Sequence, residues 1–540
     1  MNRSKRYKIL IAAFALLLFI MAGCGGEGVF LGGGGEVKYR VERTIYLPME
    51  KVRTLNPMIS KDEDTYQISK LIYDSLFELD SNLEPQKKLA DSFSYSEDKL
   101  TLTIDLKKGV KWHDGEELTA ADVKFSIDAY INLSYGNETL YSSYVANIKS
   151  VSTVKSDIYR VIITFKSPGN VGTENLVFPI LPSHQFRRPS DVRQATDAFM
   201  PIGTGPYKVI SYNNLSKLVL GANNDYYSDA PKNNLEFTIF PQKKDAINLI
   251  DIGSISLIIN DGMDRDTLIS NMNVNTVNFV SNRAEFIAFN MRSALMNDEN
   301  IRKAVAYAVD SDEIIESAYL KSGIPSNTIY YPYYFGNRDD EELYPYDIDK
   351  AAELVAEAGF RDVDGDGYVE DKDGEHISAE ILVNSDDQSR VAASQIIKNA
   401  LDKLSLDTYI IYCDRDEYLS RIAAGEYDMY IGGYAFNERY DLRDILYSGN
   451  GNITGYSNQD IDDLLDEMQS GISNAQKADT FQKVNSILED ELPYYCILYK
   501  TYGAISTSAL EGEVGPLFNN YFKGCGEWVC QYEIPAVVAE

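Results

Sequence analysis

The chain has 540 residues and a formal net charge of −31 at pH 7. That balance argues against nucleic acid as a partner and against charge-driven adhesion to an anionic lipid surface. The length allows two to four domains at about 150 residues each, and five cysteines in so long a chain are not a disulfide framework.

The N-terminus reads as an export leader. Arg3, Lys5, Arg6 and Lys8 precede an apolar run from Ile9 to Ala22. This run is shorter than the roughly 20 residues of a membrane span and fits the hydrophobic core of a signal peptide, residues 1–23. Met21-Ala22-Gly23-Cys24 resembles the bacterial lipobox, with Met in the place usually held by Leu. That resemblance implies cleavage before Cys24 and a diacylglycerol on its sulfur. Residues 24–36 carry seven glycines between Gly25 and Gly35, a composition suited to a flexible tether. The folded body is expected from about Val37.

Further on, Leu100, Leu102, Ile104 and Leu106 alternate with polar residues, and Val110 and Trp112 continue the alternation. The period predicts a half-buried strand. Asp114-Gly115 predicts a turn. Thr119 and Asp122 then form an acidic variant of the capping box, with Leu118 and Val123 as its hydrophobic staple. Val123, Ile127, Tyr130 and Ile131 recur at helical spacing. The stretch "GVKWHDGEELTAADVKFSI" therefore reads as strand, turn and capped helix. Its Trp, His and carboxylates find local roles and need no catalytic one.

A second buried helix is expected between Ile301 and Val309. A third follows Asp347, with an apolar side of Ala351, Leu354, Val355 and Ala358 and a stop at Gly359. Beyond it, "DVDGDGYVEDKD" places Asp362, Asp364, Asp366, Gly367, Tyr368, Glu370 and Asp373 at positions 1, 3, 5, 6, 7, 9 and 12 of a calcium-loop template. Position 12 calls for Glu, and no helical pattern follows. A structural calcium held by Asp362, Asp364, Asp366, Tyr368 and Asp373 and a solvated Asp-Gly turn both remain open. No other cofactor is expected. Tyrosines cluster in 329–346, where they suit either a ligand cleft or the covering of a large domain. "CGEWVC" at 525–530 leaves open whether Cys525 and Cys530 pair.

Catalytic patterns are not found. His113, His184 and His376 are too scattered for a helical zinc pair, and no HExxH, Walker P-loop, GxSxG or GxGxxG is present. "GTGPYK" at 203–208 opens no helix and is a poor phosphate cradle. No catalytic residue is named, and the chain is expected not to be an enzyme. A secreted peptidase would need a nucleophile or metal set that the sequence does not display.

"LADSFSYSEDKLTLTIDLKKGVKWHDGEELTAADVKFSI" resembles the hallmark region of the family 5 extracellular solute-binding proteins, the oligopeptide- and dipeptide-binding type. "TLNP" at 54–57, "LIYDSLF" at 71–77, "GTGPYK", "FNMRSALMNDENIRKAVAYAVD" at 289–310, "YDIDKAAELVAEAGFRDVDGDG" at 346–367 and "LPYYCILY" at 492–499 follow in the family's order. The resemblance implies an α/β fold of the two-lobed periplasmic-binding-protein type (type II), with an additional inserted domain and a ligand cleft between the lobes. Carried onto this chain, one lobe combines 37–78, 200–288 and 498–540. The inserted domain is 79–199 and the other lobe 289–497. The implied role is capture of di- or oligopeptides by a monomer anchored by lipid to the outer face of the cell membrane. Delivery is to the permease and ATPase subunits of an ABC importer. Another cargo, such as a nickel chelate or an oligosaccharide, would fit the same fold, as would a peptide-sensing receptor not coupled to uptake.

In oligopeptide-binding relatives a G-W-x-A-D-Y-x-D/E-P segment carries an acid that pairs with the peptide's α-amino group. "IGGYAFNERYDLRDIL" at 431–446 is similar to it. Alignment on Asp441 puts Glu438 at the first acid and Ala435, or Tyr434 with a one-residue slip, at the Trp. The ligand set implied is Tyr434, Ala435, Phe436, Glu438 and Asp441. The alternative is that Glu438 is solvated or pairs with Arg439 or Arg443.

Overall fold

A computed structural model describes residues 38–196, 199–326, 328–336, 343–449 and 452–534. The leader, Cys24 and the glycine tether lie outside the described residues. The described residues fall into two units, 38–40 with 532–534, and 41–531. In the first, the Arg40 guanidinium lies over the Tyr532 ring at 5.4 Å.

Among the described residues, three sheets of four or more strands build the unit 41–531. Thr44–Glu50, Asn234–Phe240, Lys217–Ala222 and Tyr207–Asn213 lie side by side in that order. The first pair is parallel and the others antiparallel. A second, antiparallel sheet has the order Ala90–Tyr95, Thr101–Leu106, Asp157–Phe165, Ile148–Val154. Its Leu102, Ile104 and Leu106 are buried, as the alternation requires. The helix Ala120–Ser134 opens with the full capping box of Thr119 and Asp122. Asp122 also accepts from the Ser183 amide at 2.9 Å and its hydroxyl at 2.7 Å. The cap thus fixes the following loop as well as the helix.

The third sheet has seven strands. Ser378–Asn384 pairs in parallel with Asp407–Cys413 and with Met429–Ala435. Val274–Phe289 and Tyr494–Thr507 are long and antiparallel, and their register slips between Val280 and Ala284. Before the slip, residues 274–280 face 501–507; after it, Ala284–Ala288 face residues 494–499. Leu257–Asn260 pairs only with the first part and Met429–Ala435 only with the second.

Both faces of this sheet are covered, which explains its nearly continuous apolar strands. Ile287, Phe289, Ile381, Val383, Met429 and Ile431 pack with residues of the helices Glu299–Ala308, Ile348–Glu357 and Gln388–Asp402. The alternate residues Phe286, Ala288, Leu382 and Tyr430 meet an aromatic-rich cluster on the other side. Asp347 caps Ile348–Glu357 by accepting from the Lys350 amide at 2.9 Å. Gly359 stops it at φ +95°, a conformation glycine adopts at little cost.

Tyrosine hydroxyls in this interior are tied to backbone carbonyls. Tyr418 donates to Ile431 O at 2.8 Å, Tyr427 to Ile453 O at 2.8 Å, and Tyr499 to Ile329 O at 2.5 Å. Tyr330, Tyr331 and Tyr334, from the tyrosine-rich stretch, are buried in the same cluster. Tyr333 and Tyr346 are exposed. None of these five lines the cavity described below, so this stretch builds core and surface and not the cleft wall. Cys413, Cys496, Cys525 and Cys530 are thiols outside any disulfide. Cys525 and Cys530 do not pair: their sulfurs contact Tyr207 Oη at 3.7 Å and Ser256 Oγ at 3.6 Å.

Candidate functional site

The histidines are structural. His113 Nδ1 accepts from the Gly203 amide at 3.1 Å, and its Nε2–H donates to Gly205 O at 3.0 Å. Burial, the largest influence, pushes its pKa down. His184 Nε2 contacts Asp114 Oδ2 at 2.8 Å, and His376 Nε2 contacts Asp407 Oδ2 at 2.9 Å. The "GTGP" loop that His113 grips packs on the end of the helix Glu63–Ile72, where the Gly205 amide donates to Ile72 O at 2.9 Å. A Cβ on Gly203 would fall 1.8 Å from that oxygen. These glycines serve close approach to another backbone, and no phosphate cradle forms.

That helix delivers one wall of a cavity of about 720 Å³, within the usual range of ligand pockets. Glu63, Tyr66 and Lys70 follow at three- and four-residue steps and share one face. Glu63 and Tyr66 line the cavity, and Lys70 reaches Glu438 with Nζ 3.3 Å from Oε2. Tyr141 precedes and Tyr144 lies within the short helix Ser142–Val145 that follows Ala120–Ser134. Asn282 and Arg283 come from the register slip of Val274–Phe289. The slip frees them from Tyr494–Thr507, though Arg283 still pairs with Ala435, and the Asn282 amide side chain donates to Phe436 O while Asn282 O accepts from the Phe436 amide at 3.0 Å. Phe518 and Tyr521 complete the aromatic lining.

Strand Met429–Ala435 ends at the cavity, and Ala435, Phe436, Asn437 and Glu438 line it. A turn closes behind them, with the Tyr440 amide donating to Asn437 O at 3.2 Å and Tyr440 at φ +48°. The turn carries the Glu438 side chain inward, where only 4% of it is exposed. Oε2 accepts from Lys70 and from Asn519 Nδ2, each at 3.3 Å. Glu438 Oε1 and Asn519 Oδ1 are buried and receive no donor from the protein. The undonated Glu438 oxygen at the cavity wall suits a ligand N–H donor, because buried acceptors are costly unless paired; Asn519 borders a separate depression with Lys70 and Asp74. Burial, and then the charge of Glu438, hold the Tyr66 hydroxyl well above the usual phenol range, so it stays a neutral donor.

Neither arginine next to Glu438 pairs with it. Arg439 donates to Asn175 Oδ1 at 2.8 Å and lies over the Tyr144 ring at 4.6 Å. Arg443 forks onto Asp441 with Nε at 2.9 Å and Nη2 at 2.6 Å. Burial works against the charge on Asp441, but the Arg443 hydrogen bonds outweigh it and hold the carboxyl below the usual range. Asp441 borders a different, open depression with Arg443 and Asp466. Tyr434 lies against Phe436, ring centroids 4.7 Å apart, and is not among the residues lining the cavity. Of the expected ligand set, the structure brings Ala435, Phe436 and Glu438 to the cavity wall. The partners supplied by 63–70, 141–144, 282–283 and 518–521 carry no local sequence signal.

The calcium-like loop lies elsewhere. Asp362, Asp364, Asp366 and Glu370 each place a carboxylate oxygen within 4.8 Å of the others. Asp373 and the Tyr368 side chain are not in that group. None of these residues lines the cavity.

Residues 84–452 match the sequence model of bacterial extracellular solute-binding proteins, family 5 (middle). The chain is 24% identical over 532 residues to the oligopeptide-binding protein AppA of Bacillus subtilis, covering 95% of this chain and 96% of that protein. The structure of that AppA in complex with a nonapeptide aligns with a TM-score of 0.60 at 23% identity, over 91% of this chain and 99% of the other. NikZ from Campylobacter jejuni in complex with Ni(L-His) aligns with a TM-score of 0.64 at 22% identity, over 90% and 99%. These likenesses show the two-lobed, mixed α/β fold. With more than half of its length matched, the chain belongs to family 5 of the bacterial extracellular solute-binding proteins.

Proposed function

We propose that this chain is the extracytoplasmic solute-binding component of an ABC importer, anchored to the membrane through lipid on Cys24. It captures di- and oligopeptides and delivers them to a permease with its ATPase. It catalyses nothing. Capture is by closure of the lobe 37–78, 200–288 and 498–540 against the lobe 289–497, with 79–199 as the inserted domain. The cavity lining draws on all three parts, and the two long strands with their shared slip are suited to bend on closure.

The observation that carries the peptide reading is Glu438. A buried carboxylate with one undonated oxygen, beside the undonated Asn519 Oδ1, offers a charge-assisted site to a peptide ammonium, and such bonds are strong away from water. Tyr66, Tyr141, Tyr144, Tyr502 and Tyr521 give apolar faces and hydroxyls around it, which accept varied side chains. No histidine or cysteine lines the cavity, so a bare metal ion finds only oxygen donors there.

Native mass spectrometry of the purified protein, followed by denaturation and identification of the released material, tests this. A set of short peptides is expected. Release of a metal chelate or a sugar would overturn the peptide reading and leave the transport role standing.

A further inference from the structure

The loop between the helix Ile348–Glu357 and the strand Ser378–Asn384 concentrates negative charge. Asp362, Asp364, Asp366 and Glu370 converge to within 4.8 Å, and among the described residues no Lys or Arg is ion-paired with any of them. Three of the four are exposed, and such clusters are common without a ligand. Glu370 is different. It is 3% exposed, held in place by backbone pairing with Arg361 and His376. Its Oε2 accepts from the Val363 amide at 2.7 Å, while Oε1 is buried with no hydrogen bond. A buried carboxylate facing three others, with one oxygen undonated, is destabilising unless a cation neutralises it.

The donors are all oxygen. Asp362 accepts from the Gly365 amide at 2.7 Å and the Gly367 amide at 3.1 Å, which curls the loop around its own carboxylates. Hard oxygen donors in a flexible loop select calcium over zinc or copper, and magnesium demands a stricter octahedron. The rival set of Asp366, Glu370 and His376 offers a single nitrogen and otherwise carboxylates, fewer N or S ligands than zinc sites use.

We infer that residues 362–370 form a calcium site in which Asp362, Asp364, Asp366 and Glu370 supply carboxylate oxygens and Tyr368 its main-chain carbonyl. Glu370, at the ninth loop position, takes the part that the template gives to the twelfth, and Asp373 is not used. The Val369 amide donates to Ser405 O at 2.9 Å. Calcium therefore fastens the loop to the turn that leads into the edge strand Asp407–Cys413.

The test is calorimetric titration of CaCl₂, MgCl₂ and ZnCl₂ into the full-length, EGTA-treated protein, with thermal unfolding alongside. One calcium per chain is expected, with a Kd of about 10⁻³ M or tighter, the range of extracellular calcium modules. It should raise the unfolding temperature and be favoured over magnesium. Asp364→Asn, at an exposed position, should weaken calcium at least roughly tenfold while leaving the metal-free unfolding temperature unchanged or higher. Glu370→Gln should do the same. If that variant fails to fold, Asp364→Asn decides alone. No calcium binding, binding of zinc only, or calcium binding indifferent to Asp364→Asn would each overturn the site.

Discussion

His113 and Gly205 are joined across 92 positions of sequence by a single hydrogen bond, Nε2–H to carbonyl, of 3.0 Å. With Nδ1 accepting from the Gly203 amide, both ring nitrogens are used and the tautomer is fixed. Gly205 in turn donates to Ile72, at the end of the helix that carries Tyr66 and Lys70. The ring thus holds the loop that positions one wall of the cavity.

Protonating His113 would turn Nδ1 from acceptor to donor against an N–H. Its folded pKa lies below 6.5, so between the two values the unfolded chain binds more protons. The stability it contributes is full above pH 6.5 and is lost as pH falls towards the folded value. His113→Gln should cost about 1–3 kcal/mol at neutral pH. It should also flatten the decline in stability below pH 6.5, which urea unfolding on both sides of that pH would reveal. An unchanged slope would remove His113 as the cause.

Gly203→Ala places a Cβ 1.8 Å from a backbone oxygen of Ile72, which cannot rotate away. A loss of about 3 kcal/mol or more is expected from such overpacking. Gly221→Ala is the comparison: its Cβ meets the flexible Ile210 side chain at 2.9 Å and should cost much less. Equal thermal shifts for the two variants would contradict the close-approach account.

For peptides with a free α-amino group, Glu438→Gln should weaken binding by about 2 kcal/mol or more, roughly 30-fold, as loss of a buried charge partner does. N-acetylated peptides of the same sequence should bind wild type and variant alike. Calorimetry with both peptide forms separates a lost ammonium contact from general damage to the cavity.

Lys477 and Glu174 form an ion pair with side chains only 4% and 7% exposed. Lys477→Met alone should destabilise by about 3–5 kcal/mol, since it strands a buried carboxylate. Adding Glu174→Gln should recover much of that loss. A double variant as unstable as the sum of its parts would show that the two side chains act independently.

What could be read in advance was local. The strand before Trp112, the Thr119–Asp122 cap and the Asp347–Gly359 helix depend on neighbours within a few residues, so their patterns survive in one dimension. The convergence of Asp362, Asp364 and Asp366 is local too, although the burial that distinguishes Glu370 from Asp373 comes from tertiary packing that local spacing does not encode. The cavity was legible only at Glu438 and its neighbours, through resemblance. Tyr66, Tyr141, Asn282 and Phe518 meet there from four distant segments, and nothing in the residues around each of them announces it. His113 was legible as a turn residue, while its partners lie some ninety positions away.

The buried tyrosines, whether or not their hydroxyls reach a backbone carbonyl, also set a limit on the conditions the protein withstands. Burial raises the phenol pKa of Tyr330, Tyr334, Tyr418, Tyr430, Tyr440 and Tyr499 above the ordinary 10.0. Each contributes stability that is complete below pH 10 and drains away as pH rises through that value, because only the unfolded chain can then ionise. Many phenols in one cooperative core act together. The fold therefore has an alkaline ceiling, steep and set from inside, at which its buried hydroxyls become the driving force for its collapse.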